Sequence, residues 1–357
     1  MMHDFGVAAR HTVILDLPLS LNPMHCILGK PAISFDATER SRFGVFPRYE
    51  PHKIQWFETN QCVIFHTANC WETTSSKETC VHLVACRLTS ASVVYGAGAL
   101  SPPVGKPVPP EYAEEEQCRL YYYSFPLVED SSDGRPVIRN QWALSAIPFE
   151  FPTVSPQLAM SEARFVYGCS MGSPSYYSAA LGKAAKIDHL AKIDIKTLIA
   201  RGTAHPPQPI KGCVDKRTIA EVMQSADAND PIKIFRMPEG WYAQEPRFVA
   251  RREAASEDDG WLLTYVFDES QLDETGQCRE DAASELWVVD AKNMTDIVAR
   301  IHLPQRVPYG LHGAWFSEED IAGQRAVEAV RHEPAKEELD LSSPFSKLRD
   351  VIEQILG

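Results

Sequence analysis

Three of the eleven histidines stand in surroundings suited to chemistry. His66 lies in the run Phe65-His66-Thr67-Ala68-Asn69-Cys70-Trp71-Glu72. His312 lies in Arg306-Val307-Pro308-Tyr309-Gly310-Leu311-His312-Gly313-Ala314-Trp315, and His3 in Met2-His3-Asp4-Phe5-Gly6. Each adjoins a small residue and an aromatic, at the end of a β-type run or beside one. Such a place lets an imidazole project into a tight, apolar, water-poor centre, where its lone pair can meet a metal. Two carboxylates have comparable neighbours. Glu150 is flanked by Phe149 and Phe151 between two prolines, and Glu245 follows Trp241 and Tyr242 and precedes Pro246. A carboxylate among Phe, Trp and Pro is costly to bury unless it meets a strong donor. The N–H of a metal-bound imidazole is such a donor, and the bond fixes the tautomer of the ring.

The cysteines point elsewhere. There are nine, at 26, 62, 70, 80, 86, 118, 169, 213 and 278, and no Cys-x-x-Cys pair. That excludes a zinc ribbon or finger and argues against a disulfide framework. Reduced, partly buried thiols of an intracellular protein are expected.

The elements that must hold these side chains read as strands. Runs rich in Val, Ile, Tyr, Phe and Trp recur at His11–Leu17, Phe43–Phe46, Ile54–Phe57, Cys62–Ala68, Val81–Leu88, Arg119–Phe125 and Gln141–Ile147. They continue at Arg164–Gly168, Ala191–Ile195, Ile232–Arg236, Trp261–Phe267, Glu285–Asp290 and Asp296–Leu303. Glu285–Leu303 reads as a hairpin, and so does Lys53–Ala68 turning at Asn60. Helical periodicity is confined to Asp215–Ser225, with Ile219, Val222 and Met223 on one side, and to a tail from Ser343 with Leu348, Ile352 and Ile355 as its stripe. Many short strands and few helices predict an all-β sandwich, barrel or propeller. Residues 101–117, with five prolines and then an acidic run, 130–136, and 205–209 read as surface loops.

Composition sets outer limits. With 35 basic and 48 acidic residues the chain carries a net charge of −13, which repels phosphate backbones and excludes a nucleic-acid partner. The longest uncharged stretch, 88–105, is broken by Gly, Ser and Pro and cannot be a membrane span. No basic n-region with an apolar h-region opens the chain, so no secretory signal is expected.

The segments His3-Asp4-Phe5-Gly6, 65–72, Glu150-Phe151-Pro152, 245–260 and 306–315 resemble, in the same order, signatures of the carotenoid cleavage oxygenases and their retinal pigment epithelium isomerase relatives. The resemblance covers residues 1–320 or so, and its wording is most similar to fungal members. It implies a seven-bladed β-propeller with a non-haem Fe(II) on the axis, held by four histidines and no carboxylate. His3, His66 and His312 match three of those ligands. Glu150 matches the outer partner of His66, and Glu245 that of His312. An all-imidazole, neutral ligand set suits a borderline ferrous ion.

The match is also incomplete. The first ligand and the glutamate supporting His3 belong upstream of the His3 segment, where this chain has only Met1 and Met2. His25, His52, His82, His189 and His302 lack the motif context, and His302 reads as structural. The chain is therefore expected to be an incomplete propeller, over 1–330, lacking its N-terminal blades, with a helical tail at 331–357. The implied reaction is oxidative cleavage of a conjugated C=C bond of a carotenoid or apocarotenoid by O2, giving two carbonyl fragments. A stilbene-type alkene is the sister substrate, and a catalytically inactive truncated homologue the reading from another class. No side chain is required as a general base. Phe5, Phe65, Trp71, Tyr309 and Trp315, next to the ligands in sequence, are candidate tunnel-lining residues. Asp258 and Asp259 read as turn residues. The resemblance further implies peripheral contact with a membrane surface; the sequence itself, with no secretory signal or membrane span, leads us to expect a cytoplasmic protein and no obligate protein partner.

Overall fold

The computed structural model describes residues 1–27, 32–76, 78–89, 118–128, 136–172, 186–310 and 312–324. The proline-rich segment 101–117, the turn at 130–135 and the tail from Ser343 lie outside them. One compact unit runs from Met1 to Ala314, and a second begins at Trp315.

Strands dominate the first unit. β1 (Gly6–Val7), β2 (His11–Asp16), β3 (Leu19–Leu21), β4 (Ile33–Phe35), β5 (Ser41–Pro47) and β6 (Gln55–Thr59) come first. Of these, β1-β2-β5-β6 form one sheet, and β3 and β4 a separate ribbon. Next are β7 (Val63–Thr74), β8 (Thr79–Leu88), β9 (Cys118–Pro126), β10 (Asn140–Ser145), β11 (Glu150–Thr153), β12 (Phe165–Ser170), β13 (His189–Asp194), β14 (Cys213–Asp215) and β15 (Ile232–Arg236). They give a second sheet ordered β14-β10-β9-β8-β7 and a third ordered β11-β12-β13-β15. The fourth holds β16 (Trp241–Ala243), β17 (Arg247–Ala250), β18 (Gly260–Asp268), β19 (Glu285–Asp290) and β20 (Ile297–His302), with both β16 and β17 on β18. Neighbouring strands are antiparallel except at β10–β14.

Hydrophobic side chains fill the seams between successive sheets. Val13, Phe43 and Phe57 of the first sheet meet Leu83, Tyr123 and Phe125 of the second. Trp142 and Leu144 meet Val166 and Ile193 of the third, whose Tyr167 and Phe235 in turn meet Phe248 and Trp287 of the fourth. Sheets stacked face to face through such seams are the blade arrangement of a propeller. Each fully buried large side chain stabilises it by about 1.5–3 kcal/mol. Among the described residues eight cysteines are free thiols, and all of these but Cys278 are buried.

The all-β expectation holds, with three local corrections. The Lys53–Ala68 hairpin does not form: β6 pairs with β5 and β7 with β8, so residues 60–62 cross between two sheets. Alternating apolar residues are the same in either case, and only the partner differs. The run 191–195 ends at Asp194, which caps an unforeseen helix, α1 (Ile195–Ala204), by accepting from the Thr197 N–H. Gly202 lets that helix lie on Trp142, where a Cβ would fall 2.5 Å from the indole. The helix foreseen over 215–225 is shorter, α2 (Ile219–Met223), with Asp215 in β14 and Met223 exposed.

Candidate metal centre

β7 carries His66 through a break in its own ladder. Ile64 pairs with Arg87 and Thr67 with Ala85, so one extra residue is inserted on β7; a second is inserted between Thr67 and Asn69. Bulges of this kind re-aim side chains. Asp4 fastens the N-terminal segment onto the same place: its Oδ2 accepts from the Thr67 N–H at 2.7 Å and the Thr67 hydroxyl at 2.6 Å, while Oδ1 accepts from the Phe5 N–H. His3 is thereby set beside His66.

His312 arrives on a segment without regular structure, and two side chains at the end of β16 hold that segment. Buried Gln244 donates to the Pro308 carbonyl at 3.0 Å and accepts from the Gly310 N–H at 3.0 Å. Glu245 accepts from the Gly313 N–H at 3.0 Å and pairs with Arg247, which also donates to the Gly313 carbonyl at 2.5 Å.

The three rings converge. Their centroids lie 5.0 Å (His3–His66), 4.9 Å (His66–His312) and 6.0 Å (His3–His312) apart. One nitrogen from each ring lies within 4.8 Å of the other two. Each Nδ1 faces oxygen: His66 to Glu150 Oε2 at 2.6 Å, His312 to Glu245 Oε1 at 3.4 Å and His3 to the Phe65 carbonyl at 2.9 Å. A carbonyl or carboxylate oxygen only accepts, so each ring carries its proton on Nδ1 and leaves the Nε2 lone pair free. The Nε2 atoms of His66 and His312 are 3.2 Å apart. Lone pairs that close repel, and a cation between them relieves the repulsion. The donor set, neutral imidazole nitrogens with oxygen partners behind, fits a divalent first-row metal.

Glu150 is the best-enclosed part of the centre, only 3% exposed. Its Oε2 also accepts from the N–H of the next residue, Phe151, at 2.5 Å. Phe151 has φ of 53°, in the left-handed region that bulky residues avoid. Such backbone strain costs about 1–3 kcal/mol and persists where surrounding structure enforces it. Here the turn brings the Phe151 ring within 5.2 Å of His66 and 5.8 Å of His312. Burial lowers the proton affinity of His66, but the Glu150 hydrogen bond and the charges of Glu150, Asp4 and Glu245 outweigh it, and its pKa ends above the ordinary value.

The surroundings differ from the expected dry centre. His66 is half-buried, but His3 and His312 are exposed, because polar clamps and not a closed apolar wall hold their segments. The tunnel candidates scatter. Phe65 packs edge-on to His3 at 5.8 Å, and Phe5 is exposed. Trp71 belongs to the core, stacked on His82. Tyr309 donates to Glu269 at 3.2 Å and meets Phe267 edge-on. Trp315, in the second unit, is exposed. Asp258 does occupy a turn, and its carboxylate also pairs with buried Lys192 at 2.6 Å. His302 is exposed and faces Glu285. Asp4, Gln244 and Phe151 are the residues of the candidate site that sequence reasoning did not single out. Their local signal is membership of the same short segments as His3, Glu245 and Glu150.

Stacked antiparallel sheets with an imidazole cluster define a propeller-class protein with a candidate metal centre. The family model for retinal pigment epithelial membrane protein matches residues 1–317. The chain belongs to that family, the carotenoid cleavage oxygenases. It is 50% identical over 370 residues to carotenoid dioxygenase carX of Gibberella fujikuroi, covering 93% of this chain and 53% of the relative. It is 32% identical over 332 residues to carotenoid 9,10(9',10')-cleavage dioxygenase 1 of Arabidopsis thaliana, covering 92% and 50%. The chain thus spans about half the length of the curated relatives it matches. The fold is that of a cobalt-substituted Synechocystis apocarotenoid oxygenase (TM-score 0.58, 19% identity, 88% of this chain and 53% of that one). It is also that of a lignostilbene dioxygenase from Pseudomonas brassicacearum (TM-score 0.58, 18% identity, 88% and 55%). Among the described residues no helix is long and apolar enough to cross a membrane.

Proposed function

We propose that His3, His66 and His312 hold a ferrous ion, and that the protein serves O2-dependent cleavage of a conjugated C=C bond in a carotenoid or apocarotenoid. The observation that carries this is the convergence of three lone pairs whose rings are each tied back, through Nδ1, to oxygen. When bound, the ferrous ion supplies the redox chemistry that inserts both oxygen atoms across the double bond. The chain's own residues do the positioning. Glu150 and Glu245 fix the Nδ1–H tautomer of their histidines and offset the charge of the bound cation. Asp4 and Gln244 tie the segments that carry His3 and His312 to their neighbours, Asp4 through Thr67 and Gln244 through Pro308. Phe5 and Phe65, beside His3, remain the proposed apolar contacts of the polyene. The carotenoid class is favoured by the 50% identity to a fungal carotenoid dioxygenase.

Titration of the purified chain with Fe(II) under anaerobic conditions, or with Co(II), tests the centre. One ion per chain is expected, with binding abolished by His66→Ala or His312→Ala. Glu150→Gln is expected to weaken affinity about 10–100-fold, as loss of such an outer partner does elsewhere. Metal uptake indifferent to all three substitutions overturns the assignment. Product analysis with an apocarotenoid and with a stilbene then separates the two substrate classes.

A further inference from the structure

Glu150 has two carboxylate oxygens, and the three donors on them are unequally shared. Oε2 takes both the His66 Nδ1–H and the Phe151 N–H. Oε1 faces the thiol of Cys118, with Sγ at 3.8 Å. Cys118 is the first residue of β9 and is fully buried, as is its neighbour Cys86, in the seam between the second and third sheets. Its carbonyl also accepts from the Phe149 N–H at 2.9 Å, which sets the segment before Glu150 against the head of β9. Burial raises the thiol pKa to about 11, so the sulfur carries its proton at neutral pH.

We propose that Cys118 is a positioning residue of the imidazole centre: its buried S–H donates to the Glu150 oxygen that His66 leaves free, and so fixes the plane of the carboxylate that holds the His66 ring. Without it Oε1 loses the donor that the thiol supplies, and a buried acceptor lacking a donor draws its group toward other partners. Among the described residues the other hydrogen-bond partners of this carboxylate are those already on Oε2. The carboxylate would turn, and the ring it holds would turn with it. A thiol is a weak donor, so the effect is one of orientation and not of folding. This rests on the metal reading only for its consequence; the hydrogen bonds themselves exist without an ion.

Two metal-free measurements test it. In the infrared difference spectrum between the wild-type chain and Cys118→Val, the S–H stretch of Cys118 should lie below that of a free thiol and shift on Glu150→Gln. A band at the free-thiol position that ignores Glu150→Gln overturns the proposal. By NMR, the His66 Nδ1 proton should exchange with water roughly fivefold faster in Cys118→Val, the change that loss of one ordinary hydrogen bond produces. Cys118→Ser, which keeps a donor, should restore slow exchange. Leu120→Val, equally buried on the same strand and with no polar side-chain atom to offer Glu150, should leave it slow. Equal acceleration in Leu120→Val and Cys118→Val would mean packing alone, and overturn the assignment. A Co(II) titration of the same proteins separates the two readings. No binding to wild type sinks the ferrous centre while the ring-proton comparison stands. Weaker binding in Cys118→Val than in Leu120→Val joins them.

Discussion

His66 and His82 sit in the same sheet, on adjacent strands, and end in opposite states. His66, at the bulged end of β7, meets Glu150 and its proton affinity is raised. His82, on β8, lies between Trp71 and Tyr122, its ring stacked on both at 5.2 and 5.9 Å. Its nitrogens face only hydroxyls, of Thr73 and Tyr122, each at 2.8 Å. Hydroxyls donate as readily as they accept, so a neutral ring is satisfied and a charged one gains nothing. Burial then lowers its pKa to about 4. The lesson is that burial does not choose the chemistry of an imidazole. The partner of Nδ1 does, by committing the proton and either inviting or refusing positive charge.

The strongest expected effect lies on the inert side of this comparison. Unfolded, His82 takes a proton near 6.5; folded, it does so only near 4. Between those values the unfolded chain binds more protons, so stability rises with pH. The contribution is present above about pH 6.5 and is lost as pH falls toward 4, by up to about 3 kcal/mol. Urea unfolding at several pH values should show this slope in the wild type and a shallower one in His82→Gln. An unchanged slope would mean that His82 is not held neutral, and the contrast with His66 would fail.

A smaller effect is expected on the active side. Gly168 of β12 lies under Glu150: a Cβ there would fall 2.7 Å from the Glu150 carbonyl oxygen and 2.6 Å from the Phe149 ring. Backbone cannot swing aside as a side-chain tip can. Gly168→Ala should cost about 1–3 kcal/mol, the range for overpacking a core. It should also displace Glu150 from His66 and so weaken Co(II) binding. The unfolding midpoint and the titration read the two consequences separately. Stability lost with metal affinity intact would show that Glu150 tolerates movement.

How far these features could be read from sequence follows their range along the chain. His3, His66, His312, Glu150 and Glu245 were legible because each carries its context within a few neighbours. The clamps were not. Asp4 finds Thr67 and Gln244 finds Pro308 only after the sheets have set those segments side by side, 63 and 64 residues apart in sequence. The bulges around His66 leave no mark in composition, and they also hide which strand β7 will pair with. The helix at Ile195–Ala204 was missed because Ile, Thr and Gly are poor helix formers. Its Asp194 cap and the burial of Ile195, Leu198 and Gly202 supply what propensity does not.

The smallest effect isolates the strain at Phe151, which nothing in the sequence signals. At an ordinary strand position glycine is less stable than alanine by about 0.5–1 kcal/mol. At φ of 53° the order should reverse, since only a residue without Cβ enters the left-handed region freely. Phe151→Ala and Phe151→Gly both remove the ring that packs on His66 and His312, so that loss cancels between them. What remains is the backbone, and Phe151→Gly should be more stable than Phe151→Ala by about 1 kcal/mol. Urea midpoints at matched slopes measure the difference. If alanine proves the more stable, the turn relaxes when the ring is gone, and the ring and not the Glu150 hydrogen bond is what forces the backbone over. If glycine wins, the strain belongs to the backbone that delivers the Phe151 N–H to Glu150. His82, whose partners are hydroxyls on regular strands, has no counterpart to that cost.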